Sequence, residues 1–370
     1  MHPVRARRTR MSKILYVAST YEHLKNFHLD YIEALRSAGH TVLTMAKGEG
    51  ADFDLPFKKK IFSSENRACR KEIKRIISSE SFDVIILNTT LAAFHVRLAL
   101  PKKNRPRVVN FVHGYLFSKD TSKIRNLVYL FSEKILAKRT DAIIVMNSED
   151  EEIAKKHKLT VGKVYTTLGM GIKKKTPTKT REQVRSEYGR EDSFILSYVG
   201  ELSPRKNQRF LILAHKKLLS DIKNLELWLV GSGEERESLE YLTKSLGIMG
   251  SVRFLGSQDA PENFIEASDL YVSSAVSEGL PFNVGEAMAL GKVVLASKIK
   301  GHVDLIEDTS HGLLYSPGNE DEYISLVKKV HSGKINLTKS KIEEQFEKFS
   351  YGNVFRETLS VIFEAISYEG

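Results

Sequence analysis

The chain has 370 residues, 41% hydrophobic and 28% charged. That is apolar material for about two globular cores at roughly 150 residues each, and it excludes a disordered or fibrous protein. Its longest apolar runs, such as VIIL and AIIVM, fall far short of the ~20 residues that span a bilayer, and the single cysteine, Cys69, excludes an internal disulfide framework. The formal charge of +11 is unevenly divided: residues 1–190 hold 38 Lys and Arg against 19 Asp and Glu, and residues 191–370 hold 19 against 27. The balances are thus +19 and −8, which predicts an anionic partner for the first half.

Residues 1–10, MHPVRARRTR, lack the apolar stretch of a secretory signal. They are expected to be a disordered extension of a cytoplasmic protein, with Met11 a natural start. ILYVAS (14–19) then reads as a buried strand, and HLDYIEALRSAG (28–39) repeats apolar residues at helical spacing up to a stop at Gly39. TVLTMA, DVIILN, RVVNFV and AIIVMN follow as strands. Basic clusters lie at 58–60, 70–75, 102–107 and 173–175. An anionic membrane surface attracts each nearby Lys or Arg by about 1 kcal/mol, so a few of these clusters on one face predict reversible peripheral docking on such a surface. Nucleic acid is not expected, because neither an aromatic RNA-binding signature nor a zinc spacing occurs.

KKKTPTKTREQVRSEYGRED (173–192) is polar and reads as a linker with room for one short helix, the boundary between domains falling at 181–192. Beyond it the pattern repeats as FILSYVG, a helix at FLILAHKKLL, then LELWLVG, SVRFLG, LYVSSA and KVVLAS. The predicted fold class is α/β, with two Rossmann-like, doubly wound parallel-sheet domains at 11–180 and 193–349 and a final helix at 350–370. Ligands of such sheets bind beyond the carboxyl ends of the strands, which makes an interdomain cleft the expected site.

One stretch concentrates the chemistry: SEGLPFNVGEAMALG, 277–291. Glu278 falls on the loop after the strand LYVSSA. Gly279 lets a ligand approach the backbone. Pro281 suits the first turn of a helix, and Glu286 sits inside that helix. The amides of Leu280, Phe282 and Asn283 lie where a helix N-terminus favours a phosphate. In VGELSPRKNQ (199–208), Arg205 and Lys206 stand just past a strand end. A helix terminus supplies at most about 2 kcal/mol, whereas millimolar-to-micromolar binding takes about 4–8, so fixed cations are needed. LVGSGEERESLE offers Gly231 and Gly233 as G-x-G, but Arg236 occupies the third glycine position, a weak dinucleotide fingerprint.

The stretch from Glu278 to Glu286 resembles the E-x7-E motif of retaining glycosyltransferases of family four, which have the GT-B fold. The likeness covers residues 194–315 through VGELSPRKNQ, LVGSGEE, VRFLG and ASDLYVSSA. The first half resembles a narrower group, the enzymes of bacterial capsule and exopolysaccharide assembly, through YEHLKNFHLDYIEAL, NFVHGYLF, SEKILAKRTDAIIVMNSEDEEIAKK and LGMGI. The resemblance implies that Glu278 attends the donor sugar and Glu286 the ribose. It implies that Lys206 and Arg205, with the backbone at 279–283, hold a diphosphate. Gly231, Gly233, Phe254 and Leu255 would border the nucleotide, His113 would contact the donor sugar, and His23, Asn26 and His28 would lie on the acceptor side.

The implied reaction is retaining transfer of a sugar from a nucleoside diphosphate sugar, UDP-linked, to a lipid-linked saccharide in surface polysaccharide assembly. It needs no cofactor and no metal, since no D-x-D carboxylate pair appears in the expected loop contexts and fixed cations can replace a divalent ion. A UDP-sugar 2-epimerase of the same architecture and a non-catalytic sugar-nucleotide binder are the alternatives. The chain departs from the family where Gly200-Glu201 replaces Gly-Arg, where Lys173 stands in place of Asp, and where NTTLA replaces a TxHT-like element.

Overall fold

The computed structural model describes residues 11–58, 63–101, 103–115 and 123–367. The extension expected at 1–10 lies outside them, as do Lys59, Lys60 and Lys102 of the basic clusters. The chain forms two compact units: everything up to Met170 together with the segment from Val354, and Gly171–Asn353.

The first unit is a seven-stranded parallel sheet of order β3-β2-β1-β4-β5-β6-β7. Its strands are β1 (Lys13–Thr20), β2 (Thr41–Lys47), β3 (Phe53–Asp54), β4 (Val84–Leu87), β5 (Arg107–Val112), β6 (Ala142–Val145) and β7 (Lys163–Thr166). Register is set by pairs such as Lys13↔Thr41 and Ile14↔Val84. Continuous apolar runs buried along β1 and β4 mark strands covered on both faces. One face packs on Tyr31, Ile32 and Leu35 of the helix Leu29–Ser37, and the other on Ile73, Ile76 and Ile77 of the helix Ser64–Glu80. Ser63 caps the second helix by accepting from the Asn66 amide. Gly39, at φ +95°, ends the first helix in a left-handed turn. The closing helix, Tyr351–Ser367, buries Ile362, Ala365 and Ile366 in this unit's core, and Arg107 Nε donates to the Ala365 carbonyl at 2.7 Å.

The second unit is a six-stranded parallel sheet of order β10-β9-β8-β11-β12-β13. It comprises β8 (Phe194–Val199), β9 (Leu225–Val230), β10 (Val252–Gly256), β11 (Leu270–Ser273), β12 (Val294–Ser297) and β13 (Leu313–Tyr315). Residues 181–192, read from sequence as a linker, hold the helix Arg181–Glu187, closed at its start by a Thr180–Gln183 capping box. Arg181 and Arg185 both pair with Asp269, which also accepts from the Ile195 amide, so this helix is bolted to the sheet. The short edge strands β3, β7 and β13 carried no sequence signal, since two to four residues give no readable period.

Each sheet reverses its winding once, between β1 and β4 in the first unit and between β8 and β11 in the second. Helices leaving neighbouring strands there go to opposite faces and open a crevice at the carboxyl ends. The candidate residues of both units collect at these two places.

Candidate functional site

In the second unit, the loop after β8 carries Arg205 and Lys206, and the loop after β11 carries Glu278. The two loops are stitched together, as the Val276 amide donates to the Arg205 carbonyl at 2.9 Å and Ser274 Oγ donates to the Asn207 carbonyl at 2.8 Å. Glu278 is 8% exposed, with Lys206 Nζ 2.5 Å from one oxygen and Arg205 Nη1 2.7 Å from the other. A pair this buried roughly breaks even against its desolvation. Its effect is therefore positional: the carboxylate holds two cations side by side at a strand end.

Pro281 is the N-cap, not a first-turn residue, and the helix runs Phe282–Ala289. Its first-turn amides have no acceptor within the helix. Asn283 Nδ2 donates to the Val199 carbonyl at 2.9 Å, which pins that N-terminus against the end of β8. Glu286, one turn further on and half-buried, pairs with Lys175 at 3.3 Å. Val199, Gly200, Arg205, Lys206, Glu278, Leu280, Pro281, Phe282, Asn283 and Glu286 line one open depression of about 330 Å³. Two cations and a helix N-terminus converge there on a space fit for a diphosphate.

Gly231 and Gly233 are not among the residues that line this depression. A Cβ at Gly231 would stand 1.9 Å from the Gly200 carbonyl oxygen, and one at Gly233 would stand 2.2 Å from that of Leu202. Only glycine lets the loops after β8 and β9 pack so closely, and they bond through Leu202 N to the Ser232 carbonyl at 3.0 Å. Phe254 packs on the core of the second unit, and Leu255 is half-buried on the same strand. Gly279 does not line the depression, and its carbonyl sits 2.5 Å from where a Gly301 Cβ would be.

In the first unit, three histidines meet at the carboxyl ends of β1 and β5. His28 is fully buried. Its Nδ1 lies 3.0 Å from the Tyr16 hydroxyl, and its Nε2 lies 2.8 Å from His113 Nε2. Burial keeps the Tyr16 phenol protonated, pushing it well above its ordinary range. Among the described residues His28 Nδ1 is the hydroxyl's one hydrogen-bond partner, so the buried O–H donates to it, His28 donates from Nε2 to His113, and the His113 proton is left on Nδ1. Burial, then the neighbouring His23, pushes His113 down to about 3, and burial lowers His28 and His23 as well. The cluster is a set of neutral rings. Nitrogens on a tetrahedral zinc at about 2.0–2.1 Å stand roughly 3.3 Å apart, so the 2.8 Å separation is a hydrogen bond.

His23 and His113 face a cavity of about 210 Å³ lined also by Asn88, Thr89, Phe94 and Glu133. Its walls are mostly apolar. Glu133 is held by a buried, two-pronged pair with Arg97 at 2.8 and 2.9 Å. Ser19 and Thr89 hydroxyls at 2.6 Å, with Asn88 Nδ2 donating to the Val17 carbonyl at 3.0 Å, tie the ends of β1 and β4 together.

The structure thus gathers Arg205, Lys206, Glu278, Leu280, Phe282, Asn283 and Glu286 at one place in the second unit, and His23 and His113 at another in the first. It corrects His28: with no exposed surface it cannot itself touch an acceptor, and its contact is with His113. Asn26 is exposed and outside the cavity. Sequence reasoning missed Tyr16, Lys175 and His302. His302, fully buried, is pushed down to about 4 by burial, and it feels the charges of Glu278 and Lys206. Its signal was available, since Gly301-His302 follows the end of β12 as His113-Gly114 follows β5.

Comparison with known proteins agrees with this division. Residues 26–166 match the family described as Glycosyltransferase Family 4, and residues 180–349 match Glycosyl transferases group 1. The EpsD protein of Bacillus subtilis (strain 168), which bears the name of a glycosyltransferase, is 30% identical over 86% of this chain and 87% of its own. An Escherichia coli UDP-Gal:alpha-D-GlcNAc-diphosphoundecaprenol alpha-1,3-galactosyltransferase is 26% identical over 70% of this chain and 69% of its own. Among solved structures, Anabaena HepE in complex with UDP and glucose superimposes with a TM-score of 0.74 at 19% identity, covering 95% of this chain and 99% of that one.

Proposed function

The chain belongs to the GT-B glycosyltransferases of family four, and from that premise we propose that it moves a sugar from a UDP-sugar to a lipid-linked saccharide, with retention at the anomeric carbon. One observation carries the reading: Lys206, Arg205, Glu278, the N-terminus at Phe282 and Glu286 share one depression at a strand-order reversal. The UDP-sugar and the diphospholipid acceptor in the name of the Escherichia coli relative support the choice of substrates.

In this reading the bond between the anomeric carbon and the diphosphate oxygen breaks, and the acceptor hydroxyl oxygen forms the new bond. Its proton leaves with the departing diphosphate. Lys206, Arg205 and the helix amides stabilise the charge that develops on the leaving group. A diphosphate outcompetes one carboxylate for the two cations, which leaves Glu278 free to stabilise positive character at the anomeric carbon. Glu286 takes the ribose hydroxyls. His113, neutral and with its proton on Nδ1, donates to a sugar hydroxyl. The cations supply the charge that a divalent metal would bring, so turnover is expected to survive a chelator.

The acceptor places the work at the inner face of the plasma membrane, in surface polysaccharide assembly, with the basic first half turned to anionic lipid. The test is Glu278→Ala. Turnover of a radiolabelled UDP-sugar should fall by about 10²-fold or more. UDP should still raise the melting temperature, because Lys206 and Arg205 lose their competitor. Undiminished turnover would sink the assignment.

A further inference from the structure

The helix Lys123–Leu136 is apolar on both faces, yet the fold covers only one. Leu136 is buried, and Tyr129 and Leu130 pack on the small core of Val112, Ile143 and Val145. The other side leaves Ile124 78%, Leu127 69%, Val128 46%, Phe131 63% and Ile135 56% exposed. These positions recur at i, i+3, i+4, i+7 and i+11, a continuous stripe along the helix. A contiguous apolar patch on a protein otherwise rich in surface charge marks an interaction site.

The charge around the stripe selects the partner. Lys134 and Lys138 are exposed at its end, while the one acidic side chain of the helix, Glu133, is turned inward and neutralised by Arg97. Exposed Lys156 lies on the helix Ser148–Lys156, where Lys155 is paired with Glu151 at 2.5 Å. His157 is held below its ordinary value by burial and then by Lys134 and Lys156, which shows that their fields overlap. An apolar stripe that ends in the exposed Lys134 and Lys138 fits a bilayer surface, where side chains enter the acyl boundary and lysines meet lipid phosphates. Val128, at the edge of the stripe, and Tyr129, Ser132 and Glu133 on the inner face wall the histidine cavity.

We propose that the outer face of this helix, Ile124 to Ile135 with Lys134 and Lys138, is the element that docks the protein on an anionic lipid bilayer. The inference rests on the reading of a lipid-linked acceptor, and it gives that acceptor a route: its lipid stays in the bilayer under the helix while its saccharide reaches the cavity behind.

The experiment is flotation of the full chain with phosphatidylglycerol-containing or pure phosphatidylcholine vesicles, at low and high salt. The intact chain should float with the anionic vesicles and retain part of that binding at high salt, because the stripe adds an apolar contact. Leu127→Asp with Phe131→Asp should cut partitioning by about tenfold or more. Both residues lie outside the cavity lining, so UDP should stabilise the variant as it does the parent, and loss of docking is thereby separable from loss of the donor site. Phe131→Trp supplies a second readout. Its fluorescence should be quenched by brominated acyl chains, against a constant background from Trp228, which is fully buried in the other unit. A charge-inserted variant that floats like the parent would overturn the proposal. So would an unquenched Trp at position 131, or a dimer of the parent in vesicle-free solution that the Asp variant abolishes.

Discussion

The two units solve the same problem at the same topological place with opposite chemistry. At the reversal in the second sheet, opposite charges face each other: Lys206 and Arg205 on Glu278, and Lys175 on Glu286. At the reversal in the first sheet, neutral rings pass hydrogen bonds from Tyr16 through His28 to His113 around an apolar cavity. The charged arrangement can exchange a carboxylate for a phosphate without rebuilding. The neutral one keeps its protonation state through the whole physiological range and offers one fixed donor. The proposed reaction would use both, a replaceable counter-ion for the leaving group and an unchanging surface to orient a sugar.

The sharpest way to break this contrast is to remove the cation of the second unit. Lys206→Ala should reduce turnover by about 10²–10³-fold, the cost of one donor aimed at developing negative charge. It should also weaken UDP, measured by calorimetry, because one of the two diphosphate cations is gone. His113→Ala in the first unit should cut turnover while leaving UDP affinity unchanged. Equal losses of UDP affinity in the two variants would erase the division of labour.

The contrast also explains what the sequence disclosed. The charged site is written in two short motifs, 199–208 and 277–286, because each of its two walls is a strand end leading into the next helix, and local spacing reports that. Gly231 and Gly233 were visible too, but their requirement is the close approach of two loops, which a motif cannot distinguish from contact with a ligand. The neutral site joins Tyr16, His28 and His113 across separations of 12 and 85 residues. The resemblance named His28 and His113 singly, Tyr16 looks like an ordinary core residue, and only the parallel register of β1, β4 and β5 brings the three together. The same reason hid the pairing of Arg97 with Glu133 and of Lys175 with Glu286.

Acid should act on stability through histidines in both units. His215 and His302, fully buried, are pushed down to about 4 by burial, and His113 to about 3. These rings are neutral in the fold, so below the ordinary value of about 6.5 the unfolded chain binds protons that the native chain refuses. Stability is therefore at its full value above about pH 6.5 and falls as pH drops toward 4. At pH 5 the loss is at most about 2 kcal/mol for each fully buried ring. Denaturant midpoints measured from pH 8 to pH 4 check the sign. A profile flat down to pH 4 would show that these rings are not held neutral. His302→Gln should remove part of the slope.

The smallest effect belongs to Tyr16→Phe, and it tests the relay itself. The substitution keeps the ring that packs in the core and deletes one hydroxyl. His28 Nδ1 then loses its donor in a fully buried position, which costs about 1–3 kcal/mol of stability. His28 is also released to take either tautomer, so it no longer dictates which nitrogen of His113 carries the proton. Turnover should fall only a few-fold, because His113 still stands at the cavity and can recover the required tautomer for part of the time. UDP affinity should not change, since nothing in the second unit is touched. Nitrogen chemical shifts of His113 would report the mixture of tautomers directly, with Nδ1 protonated throughout in the parent. If that nitrogen stays protonated in the variant, the hydrogen bond from Tyr16 serves packing alone and the neutral relay loses its first link.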